Sequence, residues 1–156
     1  MCPCMSGRVV VTMLALVAGL TAGLVLTTSS RGAKPPVRSV YLARARAICH
    51  DYSARLDRIP PIQDPTLLGT VLESTNAALP ILREQADRIH ALTAPVELRG
   101  QIDRFFALTE RSLDTLDSVR DDAKNLDSNN VGIDLIRFGR QSAAAKQVGR
   151  RIGYRC

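Results

Sequence analysis

The chain has 156 residues, a net charge of +6 and aromatic residues at only 4%, with no tryptophan. That length suits one domain of ordinary size beyond a terminal segment. The shortage of aromatics excludes the stacking platforms on which nucleic-acid bases are held, so the basic balance points to acidic partners other than a specific nucleic acid.

Residues 1–8 form a short tail whose one charged side chain is Arg8. Residues 9–26 read VVVTMLALVAGLTAGLVL, without a charge. With the small residues that follow, the run reaches the roughly 20 residues a helix needs to cross a bilayer. Residues 9–30 are therefore expected to be a transmembrane helix acting as a signal anchor. The main domain is then placed outside the cytoplasm, on a single-pass protein of the cell membrane. The alternative is secretion after cleavage near Ser30, with Thr28 and Ser30 at the recognition positions. Flanking charge opposes export, because Arg31, Lys34, Arg38, Arg44 and Arg46 follow the run and only Arg8 precedes it. Cys2 and Cys4 lie before the run, where a lipidated cysteine does not belong.

Residues 31–38, with Lys34, Pro35 and Pro36, read as a stiff basic linker. Residues 39–156 are expected to form four helices. In the first, capped by Ser39, the residues Tyr41, Ala45, Ile48, Tyr52, Leu56 and Ile59 share one face, and Pro60 and Pro61 end it. Asp64 and Pro65 mark the second start. Leu68, Leu72, Thr75, Leu79, Leu82, Ala86 and Ile89 follow as a heptad seam, in which Pro80 predicts a kink or break near Leu79. Pro95 and Glu97 open the third helix, with Leu98, Ile102, Phe105, Thr109, Leu113, Leu116 and Ala123 inward and Phe106 beside them. A polar loop over residues 125–130 supplies Ser128, Asn129 or Asn130 as the cap of the fourth, expected over residues 131–152.

The fourth helix buries Leu135, Phe138, Ala145, Val148 and Ile152. Gly139, Ser142 and Gly149 offer small positions for close approach, and Gly153 is the expected left-handed stop. Arg137, Arg140, Lys146, Arg150 and Arg151 crowd the same helix, and they are the candidate contacts for an anionic lipid or cell-wall polymer. Four apolar stripes joined by short loops imply an all-α, up-down-up-down four-helix bundle behind the transmembrane helix. A helix face of such a bundle also offers a surface for a protein partner or a homodimer.

Cys49 and Cys156 are the cysteines of the expected domain, and in an oxidising compartment they read as a disulfide joining the C-terminus to the first helix. Cys49, His50 and Cys156 also permit an alternative, a thiol-redox or metal-binding exported protein. Adjacent helical positions diverge by about 100°, which disfavours proton transfer between Cys49 and His50. The spacing of His50 and His90 matches no metal motif, and no phosphate loop, GxSxG or HExxH occurs. These features support a non-enzymatic binding module with no cofactor.

Ile48 and Cys49, the Ile59, Pro60, Pro61 turn, Leu79 to Leu82, Leu92 to Pro95 with Leu98, and the ending RIGYRC resemble a loosely defined group of small actinobacterial proteins. These carry an N-terminal membrane segment and a helical exported domain with a cysteine near each end. The resemblance implies that architecture and no activity, so no functional residue follows from it.

Overall fold

The computed structural model describes residues 37–154; the expected transmembrane run 9–30, most of the linker and Cys156 lie outside them. The described residues are all-helical: α1 Arg38–Leu56, α2 Leu68–His90, α3 Arg99–Lys124 and α4 Ser128–Ile152, with a 3-10 turn Val96–Leu98 leading into α3. None of these helices is long and apolar enough to cross a membrane.

Each helix runs antiparallel to the one before it. Arg55 pairs with Glu84 at 2.9 Å, and farther along Ser74 donates to the Pro60 carbonyl at 3.0 Å. Arg83 of α2 is bonded to Asp117 of α3, while His90 lies edge-on to Phe106 at 4.7 Å. Ser112 meets Ser142 across α3 and α4 at 3.0 Å. These pairings make an up-down-up-down bundle.

The apolar periodicity explains the packing with some changes of register. On α1 the buried stripe is Tyr41, Ala45, Cys49 and Tyr52, so Cys49 takes the position expected of Ile48, which is half-buried. On α2 the seam residues Thr75, Leu79, Ala86 and Ile89 are buried together with Val71, so the heptad stripe is used inside the molecule. One core cluster joins Tyr41, Ala45 and Cys49 to residues of the other three helices, including Ile102, Phe106 and Ile152. A second, built on Val71, Leu79, Leu116, Val119 and Val131, has no α1 member and is sealed partly by Ile62. Toward that end the bundle is three helices plus the proline-rich connection.

Several expected boundaries are corrected. Val37, with no side-chain bond, precedes α1 in place of Ser39, which lies inside the helix. Asp64 holds a turn instead of a helix start, accepting from the Thr66 amide at 2.9 Å and hydroxyl at 2.7 Å, and α2 begins only at Leu68. The α2 helix continues unbroken through exposed Pro80. Its packed face on both sides outweighs the missing amide donor. The start at Pro95 and Glu97 is a 3-10 turn, and α3 proper begins at Arg99.

The third interhelix connection is shorter than expected because it is a compact cap. Leu126 has a positive φ of 61°, its amide donates to Ala123 at 3.2 Å, and the Asp127 amide donates to Asp122 at 2.9 Å. This is a Schellman motif with leucine where glycine is usual. The cap of α4 is Asp127, in place of Ser128, Asn129 or Asn130, and it accepts from the Asn130 amide at 3.1 Å.

Candidate anion-contacting face

The helix α4 is fixed at both ends. Asp127 satisfies its first amides, and Gly153, at φ 108°, stops it, with the amides of Gly153 and Tyr154 both returning to the Gly149 carbonyl at 3.0 and 2.8 Å. Two arginines of α1 complete the C-terminal end. Arg38 donates to the Ile152 carbonyl at 3.3 Å, and Arg46 donates to the Gly153 carbonyl at 3.3 Å. Cations there offset the partial negative charge of the last carbonyls. These bonds join residues more than a hundred positions apart, so no local signal in the sequence announces them.

Beside this junction the hydroxyls of Tyr41 and Tyr154 are bonded to each other, and the Tyr154 ring stands edge-on to Phe105 at 5.0 Å. Burial, together with the neighbouring phenol, pushes Tyr154 far above the ordinary phenol range, and burial also raises Tyr41. Both stay neutral and act as a polar tie within the core.

The outward face of α4 exposes Arg137, Arg140, Lys146, Arg150 and Arg151. The helix has a single carboxylate, Asp134, which is turned inward at 7% exposure and held by Arg137 at 2.8 Å. The other four cations make no ion pair among the described residues. At 100° per residue, Arg140 and Arg151 stand within about 20° of one line and Arg137 lies beside them. Lys146 and Arg150 turn onto the opposite flank, toward α3. The five cations are therefore divided between two flanks of one helix.

Of the small positions, Gly149 and Ser142 serve close packing and Gly139 does not. A Cβ at Gly149 would lie 3.1 Å from the Phe105 ring, whereas nothing lies within 4 Å of one at Gly139. Exposed Ile133 and Ile136, at 54% and 60%, occupy the N-terminal part of the same outer face.

Cys49 is 1% exposed and is a disulfide cysteine. Its expected partner Cys156 lies outside the described residues. His50 is exposed, on a different side of α1 from Cys49. Among the described residues there is no group of three or more His, Cys, Asp or Glu side chains placed to hold a metal ion. No family model matches the sequence, and no match is found among curated proteins or solved structures.

Proposed function

We propose that this protein is a non-enzymatic helical binding module, anchored in the cell membrane by residues 9–30 and displayed outside the cytoplasm, that meets an anionic lipid or envelope polymer through α4. The observation that carries this reading is the distribution of charge on α4: every cation faces outward, and its one carboxylate faces in. A face of one sign raises the local concentration of anions, each cation adding about 1 kcal/mol near an acidic membrane surface.

The pairing of Cys49 with Cys156 belongs to this proposal. Tyr154 shares a core cluster with Tyr41, Ala45 and Cys49, and two further residues reach at most about 7 Å. On the chain-entropy model a loop of roughly 100 residues contributes up to about 4.7 kcal/mol. Nearly complete burial of Cys49 favours a clamp over a thiol in exchange with solvent, since reactive cysteines sit in accessible sites.

Co-sedimentation of the helical domain, residues 34–156, with lipid vesicles tests the reading. Binding to acidic vesicles that falls steeply as salt rises from about 0.05 to 0.3 M is expected. Binding that ignores ionic strength, or that is equal on uncharged vesicles, contradicts it.

A further inference from the structure

Three depressions lie end to end on the molecule. The first, of about 200 Å³, lies between α3 and α4 over Phe105, Ser142 and Gly149. The second, of about 140 Å³, shares Phe105, Thr109, Ser112 and Ser142 with the first and adds Leu82 and Ile89 of α2. The third, of about 230 Å³, shares Leu82 and Phe138 with the second and ends at Pro60, Pro61 and Ile62. They trace a groove that follows α4 for about 18 Å between Phe138 and Arg150, at 1.5 Å per residue. The first depression lies beside Tyr154, at the end where α1 joins the core, and the third lies where Leu56 of α1 gives way to the proline-rich connection.

The chemistry of the lining is one-sided. No carboxylate lines any of the three depressions, and the charged residues that do, Lys146 and Arg150, both lie at the first. The hydroxyls on the floor are already engaged: Ser112 with Ser142 at 3.0 Å, and Thr109 with the Phe105 carbonyl at 3.0 Å. A ligand lying over them needs no hydrogen-bonding groups of its own, and apolar surface buried there is favourable. Lys146 and Arg150, free of ion pairs among the described residues, supply two cations at one mouth.

We infer that this groove binds a single-chain anionic amphiphile, a long-chain carboxylate, with its hydrocarbon along Phe105, Leu82 and Phe138 and its head group at Lys146 and Arg150. The inference rests on the reading of α4 as the anion-contacting element and narrows it to one flank of that helix. A long apolar trough with cations at one end only is complementary to such a molecule in both shape and charge. A neutral chain leaves the two cations unanswered, and a cationic one meets them with repulsion.

The test uses the full chain in nanodiscs of phosphatidylcholine, with a twelve-carbon carboxylate bearing a mid-chain diazirine as the probe. Photolysis and peptide mass spectrometry are expected to place adducts on the segments holding Phe105, Phe138 and Leu82. Dodecanoate should compete about tenfold better than dodecyltrimethylammonium. Lys146→Glu with Arg150→Glu, both exposed positions that leave the core intact, should reverse that preference, and Ser142→Trp should fill the floor and abolish the adducts. Adducts scattered over the chain, equal competition by the cationic amphiphile, or a dimer that shields the groove from the probe would overturn the inference. Acidic-vesicle binding, read separately, keeps the two proposals apart. Vesicle binding with scattered adducts refutes the groove alone, and groove adducts without salt-sensitive vesicle binding refute the surface reading alone.

Discussion

Replacing Leu126 with glycine should stabilise the helical body, although it removes a leucine. Leu126 is the C′ residue of the cap that ends α3 and starts α4, with φ 61° and 78% of its surface exposed. The left-handed conformation costs an ordinary L-residue roughly 1–2 kcal/mol, and an exposed side chain offers little packing in return. Glycine removes that strain but gains freedom in the unfolded chain, which takes back about 0.4–1 kcal/mol. The net gain is about 0.5–1 kcal/mol, or about 2–4 °C in Tm for a domain of this size. Thermal unfolding of the Gly, Asn, Leu and Val versions, followed by circular dichroism at 222 nm, checks the reasoning. The expected order of Tm is Gly, Asn, Leu, Val, because Asn tolerates the left-handed region and a β-branched residue does not. A glycine variant that melts below the parent, or a valine variant that matches it, refutes the account of the cap.

Pro80→Ala should raise stability by about 1–3 kcal/mol, since the exposed proline leaves the Asn76 carbonyl without its helical donor and alanine restores it; a denaturant midpoint unchanged or lower contradicts this. Gly139→Ala should add about 1 kcal/mol on an open helix surface, whereas Gly149→Ala should gain nothing, because its Cβ would crowd the Phe105 ring at 3.1 Å. Asp122→Asn should raise Tm at pH 7 and lose that advantage in acid. Burial first, and then Asp134, Asp127 and Asp121, push the Asp122 carboxyl above its ordinary value. With the folded pKa above the unfolded one, its contribution to stability is full below the unfolded pKa and is lost as pH rises through the folded value. A benefit that persists at pH 3 speaks against this cause. Replacing Cys49 and Cys156 by alanine should lower Tm by several degrees or more in oxidised protein and leave the reduced protein little changed.

The bundle was legible because each stripe repeats at helical spacing over many turns, so errors of one residue, such as Ile48 for Cys49, leave the buried face in place. Caps were less legible. Ser39, Ser128, Asn129 and Asn130 are all good capping residues by type, but the cap depends on where the preceding turn releases the chain. Asp127 has that position because the cap around Leu126 ends α3 sooner than the polar run suggests. Pro80 misleads for the opposite reason, since a local cost is outweighed by tertiary packing on both sides of it. At the candidate site the five cations were visible by type, but their division into two flanks follows from their helical phase relative to α3. The groove and the arginines that close the end of α4 were not legible, because both depend on contacts between helices far apart in sequence.

The central claim is that the anion-binding surface belongs to α4 and does not reflect the net charge of the whole molecule. The most direct measurement compares two triple variants that change net charge equally. One is Arg140, Arg150 and Arg151 to Gln on α4, and the other is Arg99, Arg104 and Arg111 to Gln on the exposed side of α3. The slope of log affinity for acidic vesicles against log salt is expected to flatten strongly in the α4 variant and stay near the parent value in the α3 variant. Equal slopes in the two variants would contradict the account.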